Sequence, residues 1–268
     1  MFTLVLGGGA AKGYAHIGVL KFLEKKKIKP QLIVGASMGA LIGGFYAAGF
    51  NAAEIEKIAL QITNAKKRWL FPFRLSTRGL IHDAHIMEYL KPYFAGKKIE
   101  KLPIRYAAVA TDLEKNCEII IDRGNLLKAV RAAISIPGLF IPYSFEGRML
   151  VDGGFVDPVP ITAALKLGAT KIIAVNVLKR IDYKQRKIST VKSSGRDYTI
   201  KDVLTRIVEY TTSQLIVQQA EHLKEGLLIN INTSEIGLSR FEKAKDAIRL
   251  GYRQAKKYSK ELSKLFDK

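Results

Sequence analysis

The chain is short of cysteine, of acidic residues and of long apolar runs. Cys117 is its one cysteine, which excludes an intrachain disulfide and a cysteine-based metal site and fits a reducing compartment. Its four histidines are His16, His82, His85 and His222. His82 and His85 fall near a helix start, where capping or surface roles are expected rather than metal binding. No cofactor is expected. The apolar stretch from Met38 to Phe50 is shorter than the roughly 20 residues that span a bilayer. The opening MFTLVLGGGAAKG lacks a basic leading region, and its apolar run is too short for a signal peptide. A cytoplasmic protein is expected, with peripheral contact at the inner membrane face. The shortage of acids leaves 44 Lys+Arg against 24 Asp+Glu, a formal charge of +20. Such a bias predicts attraction to anionic surfaces, phospholipid headgroups or nucleic acid. It equally fits a lysine-rich solvated surface. No motif that reads nucleic acid accompanies the charge, so no specific nucleic-acid partner is expected.

Hydrophobic residues make up 48% of the 268 positions, enough for one sizeable core. Buried strands are predicted at 2–6, 32–34 and 171–177, where short apolar runs stop at glycine or polar residues. Helices are predicted at 14–27, 38–48, 83–94, 126–133, 160–167 and 199–224, with a helical end at 241–266. Asn51 and Glu54 have the spacing of a capping box. Residues 105–110 and 118–121 read as a hairpin, 149–151 and 227–231 as further strands, and 66–79 as irregular, basic and aromatic chain. Strands alternating with helices predict an α/β fold with a mainly parallel sheet and helices on both faces.

Three motifs carry chemistry. Gly35-Ala36-Ser37-Met38-Gly39 lies between a strand and a helix, the context of a nucleophile elbow. Small neighbours let strand and helix approach, and the helix N-terminus behind Ser37 favours developing negative charge. Gly7-Gly8-Gly9-Ala10-Ala11-Lys12-Gly13 also joins strand to helix. Tyr14 stands where a phosphate-binding loop needs Ser or Thr, and the second strand lacks the acidic end of a dinucleotide site. An oxyanion loop remains, with the amides of Gly8, Gly9 and Met38 as donors and Lys12 as nearby positive charge. Asp152-Gly153-Gly154 follows a strand. Asp152 is either an ordinary Asp-Gly turn or, if it meets Ser37, a general base that works without histidine. The order Ser37, Asp152, His222 also matches a hydrolase triad, although His222 falls late in a predicted helix rather than in a loop after a strand.

These motifs, together with AHIGVLKFLE, ATDLEK, AVRAAISIPGLFIP and GRMLVDGGFVDPVP, resemble the patatin-like phospholipases. The similarity is to the bacterial branch akin to the esterase domain of neuropathy target esterase, and covers Thr3 to Leu178. The resemblance implies a three-layer α/β/α sandwich, a Ser37–Asp152 dyad and an oxyanion hole from Gly7 to Gly9. It also implies a site shaped by the loop Ser135 to Pro137, and calcium-independent hydrolysis of lipid acyl esters. Lys12 stands where the family commonly has arginine, a point charge in place of a planar fork. One patatin-like domain is expected over 1–268: a motif-bearing core at 3–178, a polar loop at 179–198 and a helical part at 199–268. The aromatic and basic residues Lys66, Lys67, Arg68, Trp69, Phe71, Phe73 and Arg74 either meet an anionic lipid surface or pack on the core. Three functions fit: a (lyso)phospholipid or acyl-ester hydrolase working through an acyl-enzyme, an acyltransferase with the same dyad, and a non-catalytic binder of anionic membrane.

Overall fold

The computed structural model describes residues 2–62, 66, 69–70, 84–178 and 199–266. The strands are β1 (Thr3–Leu6), β2 (Leu32–Ala36), β3 (Arg105–Asp112), β4 (Cys117–Ile121), β5 (Tyr143–Phe145), β6 (Arg148–Asp152), β7 (Ile172–Asn176) and β8 (Gly226–Asn230). The helices are α1 (Ala15–Lys25), α2 (Met38–Ala47), α3 (Ala52–Leu60), α4 (Ala84–Phe94), α5 (Leu126–Ala133), α6 (Ile161–Lys166), α7 (Ile200–Glu221), α8 (Ala244–Lys257) and α9 (Ser259–Phe266). The capping box forms: Asn51 accepts from the Glu54 amide, and the Glu54 carboxylate accepts from the Asn51 amide.

β3, β2, β1, β7 and β8 pair in parallel, in that order, while β4, β5 and β6 join antiparallel at one side. The sheet is therefore mixed, with a parallel centre. The central strands are apolar throughout because both faces are covered. Leu4, Leu6, Ile33 and Val175 point into one cluster with α1, α2, α5 and α8. Val5, Val34, Val109 and Ala174 point into a second with α6 and Ile216 of α7. Strand alternation thus supplies both interfaces of a three-layer sandwich.

The hairpin strand β5 has no counterpart in the sequence reading, because three residues are too few to show a period. Lys66, Trp69 and Leu70 are helical rather than irregular. Leu70 is buried and Trp69 packs on the core, stacked on His85 at 4.8 Å between ring centres. Lys67, Arg68, Phe71, Phe73, Arg74 and His82 lie outside the described residues, as does the loop 179–198.

The C-terminal helix α8 is fastened to α1 by two glycines. A Cβ at Gly251 would stand 1.9 Å from the Ala15 carbonyl oxygen, and one at Gly18 would stand 2.0 Å from that of Ile248. Backbone cannot yield as a side-chain tip can. We expect Gly251→Ala to cost about 1–3 kcal/mol through overpacking, seen as a lower urea midpoint at unchanged slope.

Candidate active site

The register of β3 brings the two chemistry-bearing turns together. β2 pairs with β3 up to Ala36 opposite Val109, and β4 occupies the other edge from Ala108 to Asp112. β6 pairs with Ala110 to Asp112, so it can lie only on the edge that β2 has left. It runs back along that edge and ends with Asp152 opposite Ala110. The ends of β2 and β6 therefore meet head-on, and Ser37 and Asp152 are the residues at the meeting point.

Ser37 has φ +53° and ψ −126° and is 6% exposed. A non-glycine residue in such backbone stores strain on the order of 1–3 kcal/mol. It holds the side chain off the strand and at the first turn of α2. Gly39 permits this turn: a Cβ there would stand 2.0 Å from the Leu6 carbonyl oxygen, at the end of β1. Gly35 closes β2 under the same turn, and Gly13 packs against Met38. The glycine loop reaches the serine, since a Cβ on Gly8 would lie 3.2 Å from that of Ser37.

Asp152 is 3% exposed. Its Oδ1 accepts from the Gly154 amide at 2.8 Å, its own amide donates to the Ser135 carbonyl at 3.0 Å, and its carbonyl accepts from the Thr111 hydroxyl. Gly153 sits over Val109. Burial raises the Asp152 carboxyl to about 6, against the Ser37 hydroxyl and the Gly154 amide, which favour its charged form. The hydroxyl acts on the carboxylate without closing a hydrogen bond of ordinary geometry, because Oδ2 is buried with no partner at that range. Contacts of this kind tighten when substrate binds.

The expected oxyanion loop needs correction. The Gly7 amide donates to the Val175 carbonyl at 3.0 Å and the Gly8 amide to that of Pro158 at 2.8 Å. Two of the four expected donors are therefore committed to the fold. The amides of Gly9 and Met38 have no hydrogen-bond acceptor among the described residues; Met38 follows Ser37 in the chain, and Gly9 lines a cavity with it. His16, fully buried, donates from Nε2 to the Gly7 carbonyl at 2.7 Å and is kept neutral, its pKa lowered to about 4 by burial. It clamps the loop and faces neither cavity described below. Lys12 is half-buried at the rim of the site.

Two cavities open at Ser37. One, of about 670 Å³, runs beside α2 to Phe45 and is walled by apolar side chains of α3 and α4 and by Phe140. From Ser37 to Phe45 is on the order of 12 Å at the helical rise per residue. The other, of about 710 Å³, holds Asp152, Gly154 and Lys12 together with Arg206 and Tyr210 of α7. His222 lines neither and is exposed at the end of α7. Pro137 is exposed and lines neither, while its neighbour Ile136 lines both. No group of His, Cys, Asp or Glu among the described residues could hold a metal.

Arg131 is the residue that sequence reasoning passed over. It is wholly buried, donates to the Ser135 hydroxyl at 2.6 Å, and lies over the rings of Phe140 and Tyr143 at 4.8 and 5.2 Å. It thereby fixes the loop whose carbonyl holds Asp152. Its signal was a cation among the apolar positions Leu127, Val130 and Ile134, four residues before Ser135.

A family model, Patatin-like phospholipase, matches residues 4–165. The chain belongs to the patatin-like phospholipase family. An uncharacterized NTE family protein of Mycobacterium bovis is 38% identical over 175 residues, 65% of this chain and 48% of that relative. Lysophospholipase NTE1 of Scheffersomyces stipitis is 34% identical over 178 residues, 65% of this chain and 11% of the relative. This patatin-like chain thus spans about half, or far less, of the length of the curated relatives it matches. The crystal structure of VipD from Legionella pneumophila superposes at a TM-score of 0.49 with 13% identity, over 96% of this chain and 66% of that one.

The buried carboxyl has a stability consequence. With its folded value near 6 and above the ordinary carboxylate range, the folded state holds the extra proton between those limits, so stability falls as pH rises through that window. At about 1.4 kcal/mol per pKa unit the loss is on the order of 3 kcal/mol. Asp152→Asn should therefore raise Tm at pH 8 and lose most of that advantage by about pH 4, near the bottom of the window, measured by thermal melts at both.

Proposed function

We propose that this chain is a serine hydrolase that cleaves acyl esters of lipids through a Ser37–Asp152 dyad. The observation that carries the reading is the strained Ser37 at a helix start, facing a buried carboxylate, with no histidine lining either cavity.

In this mechanism Asp152 takes the Ser37 proton as Oγ attacks the ester carbonyl carbon. The amides of Gly9 and Met38 and the N-terminus of α2 face the oxyanion; one such donor is typically worth about 3 kcal/mol. The leaving alcohol takes the proton from Asp152, and an acyl-enzyme remains. Asp152 then deprotonates water, which attacks the acyl carbon; the Oγ–carbon bond breaks, Asp152 returns the proton to Ser37 Oγ, and the fatty acid leaves. Buried neighbours suit Asp152 to this work, since a base poised closer to neutrality accepts a proton more readily than an ordinary carboxylate. The apolar cavity along α2 takes the acyl chain, and the second cavity takes the alcohol part. Its size is that of ordinary small-ligand sites, roughly 300–1,000 Å³. We further propose that 1–268 acts as one domain, because β8 extends the sheet and α8 seals against α1.

Labelling with a fluorophosphonate probe tests the nucleophile. Wild type should label, while Ser37→Ala should not, and its ester hydrolysis should fall by at least about 10³-fold. Equal turnover by Ser37→Ala would remove the dyad. The kcat/KM profile of wild type should rise with pH through about 6, as Asp152 loses its proton. Ala59 lines the acyl cavity from α3 and is buried. Ala59→Phe should shift preference toward shorter acyl chains, by roughly tenfold or more in the ratio of kcat/KM for long and short esters.

A further inference from the structure

Among the described residues nine large apolar side chains are exposed, and six of them line one cavity, the polar-floored one that holds Ser37 and Asp152. They are Phe155, Val203, Ile207, Val208, Tyr210 and Leu238, exposed by 43 to 53%. Scattered surface apolar residues are ordinary, whereas a cluster around one opening marks a contact surface. Three separate pieces of chain contribute: the turn after Asp152, helix α7 and the loop before α8.

Helix α7 is built in two parts. Its second half is packed, with Ser213, Ile216 and Gln219 buried. The Gln219 side chain bridges to the backbone of Val156 and Val159, just past the Asp152 turn. Its first half, over the described positions 206–211, is exposed. The helix is thus anchored at one end beside the catalytic turn and presents the other to solvent with apolar groups on it. No described helix is long and apolar enough to cross a membrane. A partly apolar helix that cannot span can still lie in the interfacial plane.

We propose that this rim, formed by Phe155, the first half of α7 and Leu238, is the face by which the protein docks on an anionic lipid surface. Docking there lets the acyl ester pass from the bilayer into the cavity at Ser37. Two observations choose the occupant. The chain carries a net charge of +20, and attraction to an anionic leaflet contributes on the order of 1 kcal/mol per basic residue near the surface. The rim also opens onto Lys12 and Arg206, with Glu209 and the buried Asp152 as the acidic residues of the cavity. The inference rests on the proposed lipid hydrolysis only for its purpose; binding itself can be read without turnover.

Flotation with vesicles of phosphatidylglycerol and phosphatidylcholine tests it. Wild type should float with the mixed vesicles, bind phosphatidylcholine alone less, and release as salt is raised. The double variant Ile207→Asp/Tyr210→Asp should need at least tenfold more lipid for half binding. Leu238→Asp, on a different piece of chain, should weaken binding in the same direction. Leu165→Asp, at an exposed position away from the rim, should float as wild type does. Circular dichroism and thermal melts establish that each variant is folded. Ser37→Ala should float normally. If it floats normally and also hydrolyses ester like wild type, the catalytic reading fails and the docking face stands. Folded rim variants that float like wild type overturn the docking face. So does a wild type that never floats, or one that sediments as a dimer which the rim variants dissociate, since the face then belongs to a second copy of the chain.

Discussion

One edge of one strand governs this molecule. β3 gives its lower half to β2 and its upper half to β6. The change of partner occurs between Val109 and Ala110, and both incoming strands must turn away there. A strand that ends against the end of another cannot continue, so each leaves the sheet in a tight turn. One turn is Ser37 and the other is Asp152. The pairing that completes the sheet is thus the same pairing that sets hydroxyl against carboxylate. No flexible loop has to find its partner, and the two groups sit on rigid elements, as a site that must hold sub-ångström geometry requires.

The arrangement carries costs that the surroundings offset. Ser37 sits in left-handed backbone, and Asp152 is a carboxyl without a cation beside it. Burial alone would keep it protonated; the Gly154 amide and the Ser37 hydroxyl pull the other way. A second buried acid, Asp157, lies five residues on. Burial first, then the Glu118 carboxylate, raises its pKa, and Glu118 itself pairs with Lys166 at 2.8 Å. Arg131 provides the other half of the frame, because its hydrogen bond to Ser135 holds the carbonyl that fixes the Asp152 amide.

Much of this was legible in the residues. The capping box at Asn51 and Glu54 depends on three-residue spacing, which a sequence displays directly. The elbow and the Asp-Gly-Gly turn are likewise local, and their small residues mark close approaches such as that of Gly39 to Leu6. The oxyanion loop was only half legible. A glycine run advertises amides, but whether they are spent depends on which carbonyls arrive from elsewhere, here Val175 and Pro158. Those lie about 150 residues away in sequence, beyond any spacing rule. Strand β5 was too short to carry a period. Arg131 drew no reading from the sequence because its burial depends on Phe140 and Tyr143 folding back over it.

The two cavities differ in where the chain supplies their walls, and the difference bears on specificity. The cavity along α2 is built mostly from α2, α3, α4 and the Ile136–Phe140 loop, all inside the stretch that matches the family model. The second cavity takes Leu178, its whole α7 wall and Leu238 from beyond that stretch. Ser37, Asp152 and the cavity along α2 thus belong to the stretch that matches, whereas the α7 wall of the second cavity lies outside it. On the proposed hydrolysis, substitutions in α7 and the Leu238 loop are the ones that can alter binding of the alcohol part without touching the matched stretch that also lines this cavity through Lys12, Ile136 and Pro158.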